Sequence, residues 1–281
     1  MNGFIVVFKP TGMTSHDIVS RVRRLTGIRQ VGHTGTLDPN ASGVLPIAIG
    51  KATKAIPYLS EERKVYRAEL ALGVETDTCD RYGTEVASSE DIDRSKDAFL
   101  EAAKSFIGLI QQRPPIFSAI RIDGKRAYDL ARSGKTPEMK LRDVTIESID
   151  LISVAQNRFL FDVVCSKGTY IRSLCRDLAK EMGSLGHMSM LIRLESGIFT
   201  AENALFDWNQ LENSILSIDQ VLSHYPKIQV DKNAEKRLLF GQTIEKETDQ
   251  TDEFFRVYSA SGFLGIATCK NKQMKMKRQF I

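Results

Sequence analysis

Cysteine and histidine are scarce in this 281-residue chain, and neither is clustered. The four cysteines (Cys79, Cys165, Cys175, Cys269) form no Cys-x-x-Cys pair. That argues against a zinc site or a disulfide framework and fits a reducing, cytoplasmic setting. The four histidines (His16, His33, His187, His224) are equally dispersed, so no bound metal is expected. No apolar run approaches the roughly 18 residues of a membrane span, so no membrane partner is expected. Residues 1–9 have no basic lead and are too short for a signal peptide. There is no internal repeat and no low-complexity tract. A Walker A loop is also missing: before Gly50-Lys51, Leu45 stands where its first glycine belongs, and Ala52 replaces its hydroxyl residue.

What is present is an ordinary globular composition, 42% hydrophobic and 26% charged, long enough for one large domain or two unequal ones. The net charge of +4 is unevenly placed. Residues 226–281 hold 11 basic and 7 acidic side chains, which leaves residues 1–225 balanced. A second basic cluster, at 111–142, holds 8 basic against 3 acidic residues. Two basic patches on a neutral body fit a polyanionic partner, although either patch alone is also compatible with a solvated face.

Residues 3–8 read as a buried strand. Thr14 then caps a helix three residues before Asp17, with Ile18, Val19, Val22 and Leu25 as its apolar stripe and Gly27 as its end. Residues 65–72 alternate, with Tyr66, Ala68, Leu70 and Leu72 on one face. A helix is expected over 91–107. The stretch 111–142 is hinged by Pro114-Pro115, an Asp123-Gly124 turn and Gly134, with a short helix at 128–132. A strand over 158–165 leads into a helix with Ile171, Leu174, Cys175, Leu178 and Met182 buried, ended by Gly183. Beyond Pro226 lie short strands at 228–230, 254–257, 263–267 and 274–280.

Within residues 32–50, four glycines and two prolines surround one carboxylate, Asp38, with His33 five residues upstream. Glycine permits backbone angles that other residues avoid, and proline fixes them, so this is a shaped loop. A lone acid in such a loop is a candidate nucleophile or base; it also suits a plain Asp-Pro turn. Arg172 falls in the first turn of the later helix, where a cation opposes the helix dipole. It invites a carboxylate partner such as Asp38, or a bound phosphate.

Five segments, in order, resemble the bacterial tRNA pseudouridine synthase B (TruB-type) family. They are Lys9-Pro10-x-Gly12-x-Thr14-Ser15-x-Asp17, the Gly32–Leu45 run, Lys64-x-Tyr66, Gln112-x-Pro114-Pro115-x-x-Ser118 with Asp123–Tyr128, and Lys167–Leu174. The resemblance implies an α+β fold: a central mixed, largely antiparallel sheet flanked by helices, with the cleft across its middle. A catalytic domain over 1–225, carrying an RNA-gripping insertion at about 111–142, would precede a small β-rich, PUA-like module over 226–281. It implies isomerisation of uridine 55 in the tRNA T-loop to pseudouridine, without cofactor or metal. Asp38 would be the nucleophile, Tyr66 would stack on the base and assist proton transfer, and Arg172 would pair with Asp38. His33 would help displace the loop, and Tyr170 and Leu191 would line the base pocket. Lys9, Arg113, Arg121, Lys125, Arg126, Arg132, Lys275 and Lys277 would contact RNA. Asp38 would either meet the sugar at its anomeric carbon or add to the uracil ring. No long exposed apolar helix is expected, so a monomer is. A non-catalytic tRNA-folding protein and a synthase for another RNA are the competing expectations.

Overall fold

The structure is a computed structural model. It describes residues 1–59, 63–90, 92–118, 120–122, 124–133, 137–245 and 254–281. The expected Asp123 turn residue and Gly134 lie outside the described residues.

In chain order the first part contains β1 (Gly3–Lys9), α1 (Ser15–Thr26), β2 (Val31–His33), β3 (Ser42–Ile49), β4 (Arg63–Leu72), β5 (Val74–Thr76) and β6 (Glu85–Ser88). Next come α2 (Lys96–Lys104), β7 (Gly108–Gln112), the small hairpin β8 (Arg121–Ile122) and β9 (Lys125–Arg126), and α3 (Ala127–Arg132). The long hairpin β10 (Arg142–Ala155) and β11 (Arg158–Ser166) leads to α4 (Ile171–Glu181), β12 (Gly186–Ser196), β13 (Phe199–Thr200), β14 (Ala204–Leu205) and α5 (Ile218–Val221). The last part holds β15 (Lys227–Gln229), α6 (Lys232–Leu239), β16 (Ile244–Glu245), β17 (Phe254–Ser259), β18 (Gly262–Lys270) and β19 (Gln273–Gln279).

The main sheet runs β14-β1-β3-β12-β4-β11-β10-β7, with β2 added to β3 and β13 to β12. Within it β1 pairs with β14 and β12 with β3 in parallel, and the other pairs are antiparallel. The expected mixed, largely antiparallel sheet is therefore observed. Side chains alternate across it, as strand geometry requires. Ile5, Val7, Leu45 and Ile47 pack beneath α1 and α4, and Phe4, Val6, Val44 and Ala48 face the other way.

α1 begins with the expected capping box, Thr14 with Asp17, and ends at Gly27 in the left-handed region (φ 69°). Leu25, placed on the apolar stripe from sequence, is instead 53% exposed, because the buried face narrows to Ser15, Ile18, Val19 and Val22. α2 is shorter than expected: Ser95 caps it, so Ile92 and Phe106 pack on the core from flanking loops. The β5–β6 ladder and α6 were not legible from periodicity. Among the described residues, no helix is long and apolar enough to cross a membrane.

The C-terminal strands form a separate sheet, β15-β17-β18-β19-β16, over its own small core. Fifty-odd residues bury too little surface to be secure alone. Ile266 and Phe280 therefore contribute to the core on the far face of the main sheet. Arg256 on β17 ties the two parts together. Its guanidinium donates to the Tyr225 carbonyl (2.9 Å), the Ser223 carbonyl (3.1 Å) and the Asp219 carboxylate (2.9 Å), and the Tyr258 hydroxyl donates to that same carboxylate. Arg256→Ala removes a buried guanidinium and leaves its Tyr225, Ser223 and Asp219 acceptors without that donor. The expected loss is about 3 kcal/mol, read as a melting temperature lower by about 6–10 °C in calorimetry. A fall of under about 2 °C would show that the tie contributes little.

Candidate active site

The segment between β2 and β3 is shaped by contacts to the first motif. Ser15 Oγ donates to the Leu37 carbonyl (3.1 Å) and accepts from the Leu37 N–H (2.9 Å). Gly12 N–H donates to the Pro39 carbonyl at 2.9 Å. Lys9 Nζ donates to the carbonyls of Met13 (2.7 Å), Pro10 (2.9 Å) and Pro39 (3.1 Å). Leu37 and Pro39, on either side of Asp38, are thus both anchored.

This corrects the expectation that Lys9 contacts RNA. Its side chain is fully buried, and its three N–H donors are all engaged by carbonyls. Burial pushes its ammonium down to about 8, against the opposing pull of the Asp38 carboxylate. Lys9 builds the loop and does not face a phosphate.

Asp38 meets Arg172 as an ion pair. Arg172 Nε lies 2.9 Å from one carboxylate oxygen and Nη2 lies 3.4 Å from the other. The guanidinium is held on its remaining edges. It donates to the carbonyls of Thr78 (3.1 Å) and Phe117 (3.0 Å), and Asp80 lies 3.8 Å from Nη1. Asp80 is itself fixed by the Thr78 hydroxyl (2.9 Å) and the Tyr82 N–H (3.0 Å). The Arg172 side chain is 7% exposed and that of Asp38 is 40% exposed. The cation is therefore sealed in the wall, and the carboxylate opens to solvent. The unfavourable position of Arg172 at the start of α4 is offset by this partner.

The N-terminus of α4 is fixed from the end of β7. The Gln112 side chain accepts from the Tyr170 N–H (2.8 Å) and donates to the Tyr170 carbonyl (3.1 Å). Tyr66 comes from β4; Leu191 and Arg193 come from β12, where Arg193 pairs with Tyr66 and Leu191 with Ala68. Burial pushes both tyrosine hydroxyls, Tyr66 and Tyr170, above their ordinary range; Arg193 opposes the shift at Tyr66. Gly43, the Cα partner of Arg193 on β3, has φ 115°, and a Cβ there would stand 2.2 Å from the Arg193 carbonyl oxygen. Only glycine lets β3 and β12 approach this closely at that point.

Two cavities meet at the ion pair and share Asp38, Ser118, Arg172 and Leu191. One, of about 410 Å³, is walled by Tyr66, Tyr170, Lys64, Lys167 and Arg193. The other, of about 380 Å³, is walled by Tyr82, Phe117, Tyr128, Met188 and Met190. Asp38, Tyr66, Arg172, Tyr170 and Leu191 are thus brought together. His33 is not: it sits half-buried on β2 opposite Ile47 and lines neither cavity.

Of the basic residues, Arg113 is exposed beside a separate cavity, and Lys275 and Lys277 are exposed on one face of β19. The side chains of Arg121, Lys125, Arg126 and Arg132 lie outside the described residues. Asp80, Thr78, Gln112 and Arg193 were not singled out from sequence. Gln112 stands inside a recognised segment, but Asp80 lies in a polar turn with no pattern to mark it. Among the described residues, no group of three His, Cys, Asp or Glu side chains is placed to hold a metal ion.

The whole chain superposes on solved structures. It matches a chain in the structure of an H/ACA RNP bound to a substrate RNA containing 2'-deoxyuridine with a TM-score of 0.74 and 22% identity. That alignment covers 99% of this chain and 85% of the other. A chain of a Cbf5-Nop10-Gar1 complex gives a TM-score of 0.74 and 24% identity over the same shares. These likenesses concern the fold.

A mixed sheet of this order, with its cleft walled by β4, β12 and α4, is that of a pseudouridine synthase, an isomerase. The profile for the TruB family pseudouridylate synthase N-terminal domain matches residues 23–171. The chain belongs to the TruB family. The tRNA pseudouridylate synthase B C-terminal domain matches residues 172–226, and the pseudouridine synthase II TruB C-terminal profile matches 226–278. The chain is 43% identical to tRNA pseudouridine synthase B of Clostridioides difficile (strain 630), covering 95% of this chain and 94% of that one. Its identity to the Clostridium perfringens (strain 13 / Type A) protein of the same name is 43%, over 100% and 99%. The Caldanaerobacter subterraneus subsp. tengcongensis protein, again of that name, is 39% identical over 100% and 99%.

Proposed function

We propose that this chain converts uridine 55 of the tRNA T-loop to pseudouridine, with Asp38 as the nucleophile. The observation that carries this is the two-point contact from a sealed Arg172 to an open Asp38 carboxylate at the junction of two cavities. Uridine and pseudouridine are isomers: a C–N bond breaks and a C–C bond forms, with no net oxidation or hydrolysis. The balance calls for no cofactor and no metal. A carboxylate held on one side by a guanidinium keeps its free oxygen lobe toward the cavity, where the sugar of a bound uridine would sit.

A uridine stacked in folded RNA is out of reach of Asp38, so it must be flipped out, at a cost of a few kcal/mol. Tyr66 and Leu191 offer an aromatic and an aliphatic wall between which the base can turn without escaping. Tyr170 closes the same cavity. His33, on β2 ahead of the loop, takes the gap left in the RNA. Arg113, Arg121, Lys125, Arg126 and Arg132 grip phosphates from the 111–142 insertion, and Lys275 and Lys277 do so from the C-terminal module, which acts as a PUA-like RNA-binding unit. The enzyme works as a cytoplasmic monomer.

Incubating the protein with unmodified tRNA and mapping pseudouridine by carbodiimide labelling tests this. A single product site in the T-loop, at position 55, is expected. Product elsewhere in the tRNA would overturn the substrate position, and no product would overturn the activity.

A further inference from the structure

Three arginines are buried among the described residues: Arg172, Arg193 and Arg256. Arg172 faces Asp38, and Arg256 faces Asp219. Arg193 is 2% exposed and, among the described residues, has no carboxylate partner. Its Nε donates to the Val44 carbonyl at 2.7 Å and its Nη2 to the Gly35 carbonyl at 3.1 Å. Two carbonyl dipoles orient a guanidinium but do not neutralise it. A buried cation without an anion costs several kcal/mol, and an apolar residue of similar volume is often at least as stable in such a position. Arg193 also lines the Tyr66 cavity and stands directly across from Tyr66 in the sheet. An unneutralised cation facing a substrate cavity suits an anion that exists only during the reaction.

We infer that the Arg193 guanidinium is the counter-charge for the uracil anion while the base is detached from the sugar. This rests on the assignment of the Asp38 cavities to the target uridine. In the sugar-centred route the C1'–N1 bond breaks and its electron pair leaves with the base. The charge spreads over N1 and the two carbonyl oxygens. C1' is taken by an Asp38 oxygen. After the base turns, C5 gives an electron pair to C1', the Asp38 oxygen leaves with its own pair, C5 loses its proton and N1 regains one. During the detached stage the negative charge has moved from Asp38, where Arg172 meets it, to the base. A second cation is needed on that side of the cavity, and Arg193 supplies it. Its position against Tyr66 also counters the effect of burial on the tyrosine hydroxyl.

Single-turnover cleavage of the N-glycosidic bond, followed by nuclease digestion and chromatography, tests the assignment. The substrates are tRNAs carrying uridine or 5-fluorouridine at the target. The fluorinated ring bears negative charge more readily, so it depends less on an external cation. Arg193→Gln should slow uridine cleavage by about 10²-fold or more. Its defect should be at least about tenfold smaller on 5-fluorouridine. An equal defect on both substrates would make Arg193 a packing residue and overturn the inference.

Arg193→Lys gives an independent reading if the glutamine variant does not fold. A buried lysine loses its proton far below its usual range, whereas arginine keeps its charge. The Arg193→Lys to wild-type rate ratio should therefore fall as pH rises from about 7 to 9. Lys9 and Tyr66 are the titratable groups that feel the charge at position 193, so both respond when a lysine there loses its proton. Parallel pH profiles would overturn the inference, and a wild-type chain that makes no pseudouridine would overturn the assignment beneath it.

Discussion

Asp38→Asn is expected to abolish pseudouridine formation, by at least ~10⁴-fold in single-turnover rate, while tRNA binding stays within a few-fold of wild type. Asparagine matches the volume of aspartate but cannot deliver a carboxylate oxygen to a sugar carbon. Little else changes. The Asp38 side chain is 40% exposed, so its replacement creates no buried cavity. Arg172 keeps the carbonyls of Thr78 and Phe117 and the nearby Asp80 carboxylate. The Leu37 and Pro39 anchors involve backbone atoms and are untouched. The variant should melt within about 2 °C of wild type. Measured pseudouridine yield and filter-binding affinity on the same preparation separate the outcomes. Retained product formation would remove Asp38 from the chemistry. Loss of product together with loss of binding would point to an RNA-docking role instead, the reading of this chain as a tRNA-folding protein.

The central sheet was legible because its strands obey simple periods. Phe159, Phe161, Val163 and Cys165 alternate inward on β11 and are all fully buried, as the pattern requires. Thr14-x-x-Asp17 marked the start of α1 for the same reason: the capping contact is local and needs no tertiary partner. The Asp38–Arg172 pair was legible in part. An arginine in the first turn of a helix asks for an anion, and the lone aspartate of the shaped loop was one candidate beside a bound phosphate, although the two residues stand 134 apart in the chain.

What escaped the sequence depends on tertiary approach. Lys9 reads as a surface cation, but its neighbours Met13 and Pro39 turn their carbonyls toward it and bury it. Asp80 and Thr78 sit in a polar turn that carries no periodic signal, and only the packing of that turn against α4 brings them to Arg172. Arg193 is one polar residue in an alternating strand. The close pairing of β12 with Gly43 is what pulls its side chain into the cavity wall.

Arg172→Ala is expected to differ in kind from Asp38→Asn, because Arg172 serves both the chemistry and the fold. Its removal frees Asp38 from its two-point contact, so the carboxylate loses its fixed direction into the cavity. A rate loss of roughly 10³-fold follows from lost placement and charge balance. The same substitution strips donors from the Thr78 and Phe117 carbonyls and leaves Asp80, only 16% exposed, without its nearby cation. Removing one partner from a buried charge cluster costs about 3–5 kcal/mol, so melting should fall by about 6–15 °C. Arg172→Lys divides the two effects. A lysine keeps the charge but cannot span two carboxylate oxygens and two carbonyls at once. Stability should largely return while the rate remains depressed by about 10²-fold or more. Calorimetry and single-turnover kinetics on Asp38→Asn, Arg172→Ala and Arg172→Lys therefore give three distinct signatures. If Arg172→Lys restores both stability and rate, the requirement is for charge alone, and the side-on geometry of the guanidinium has no part in directing Asp38.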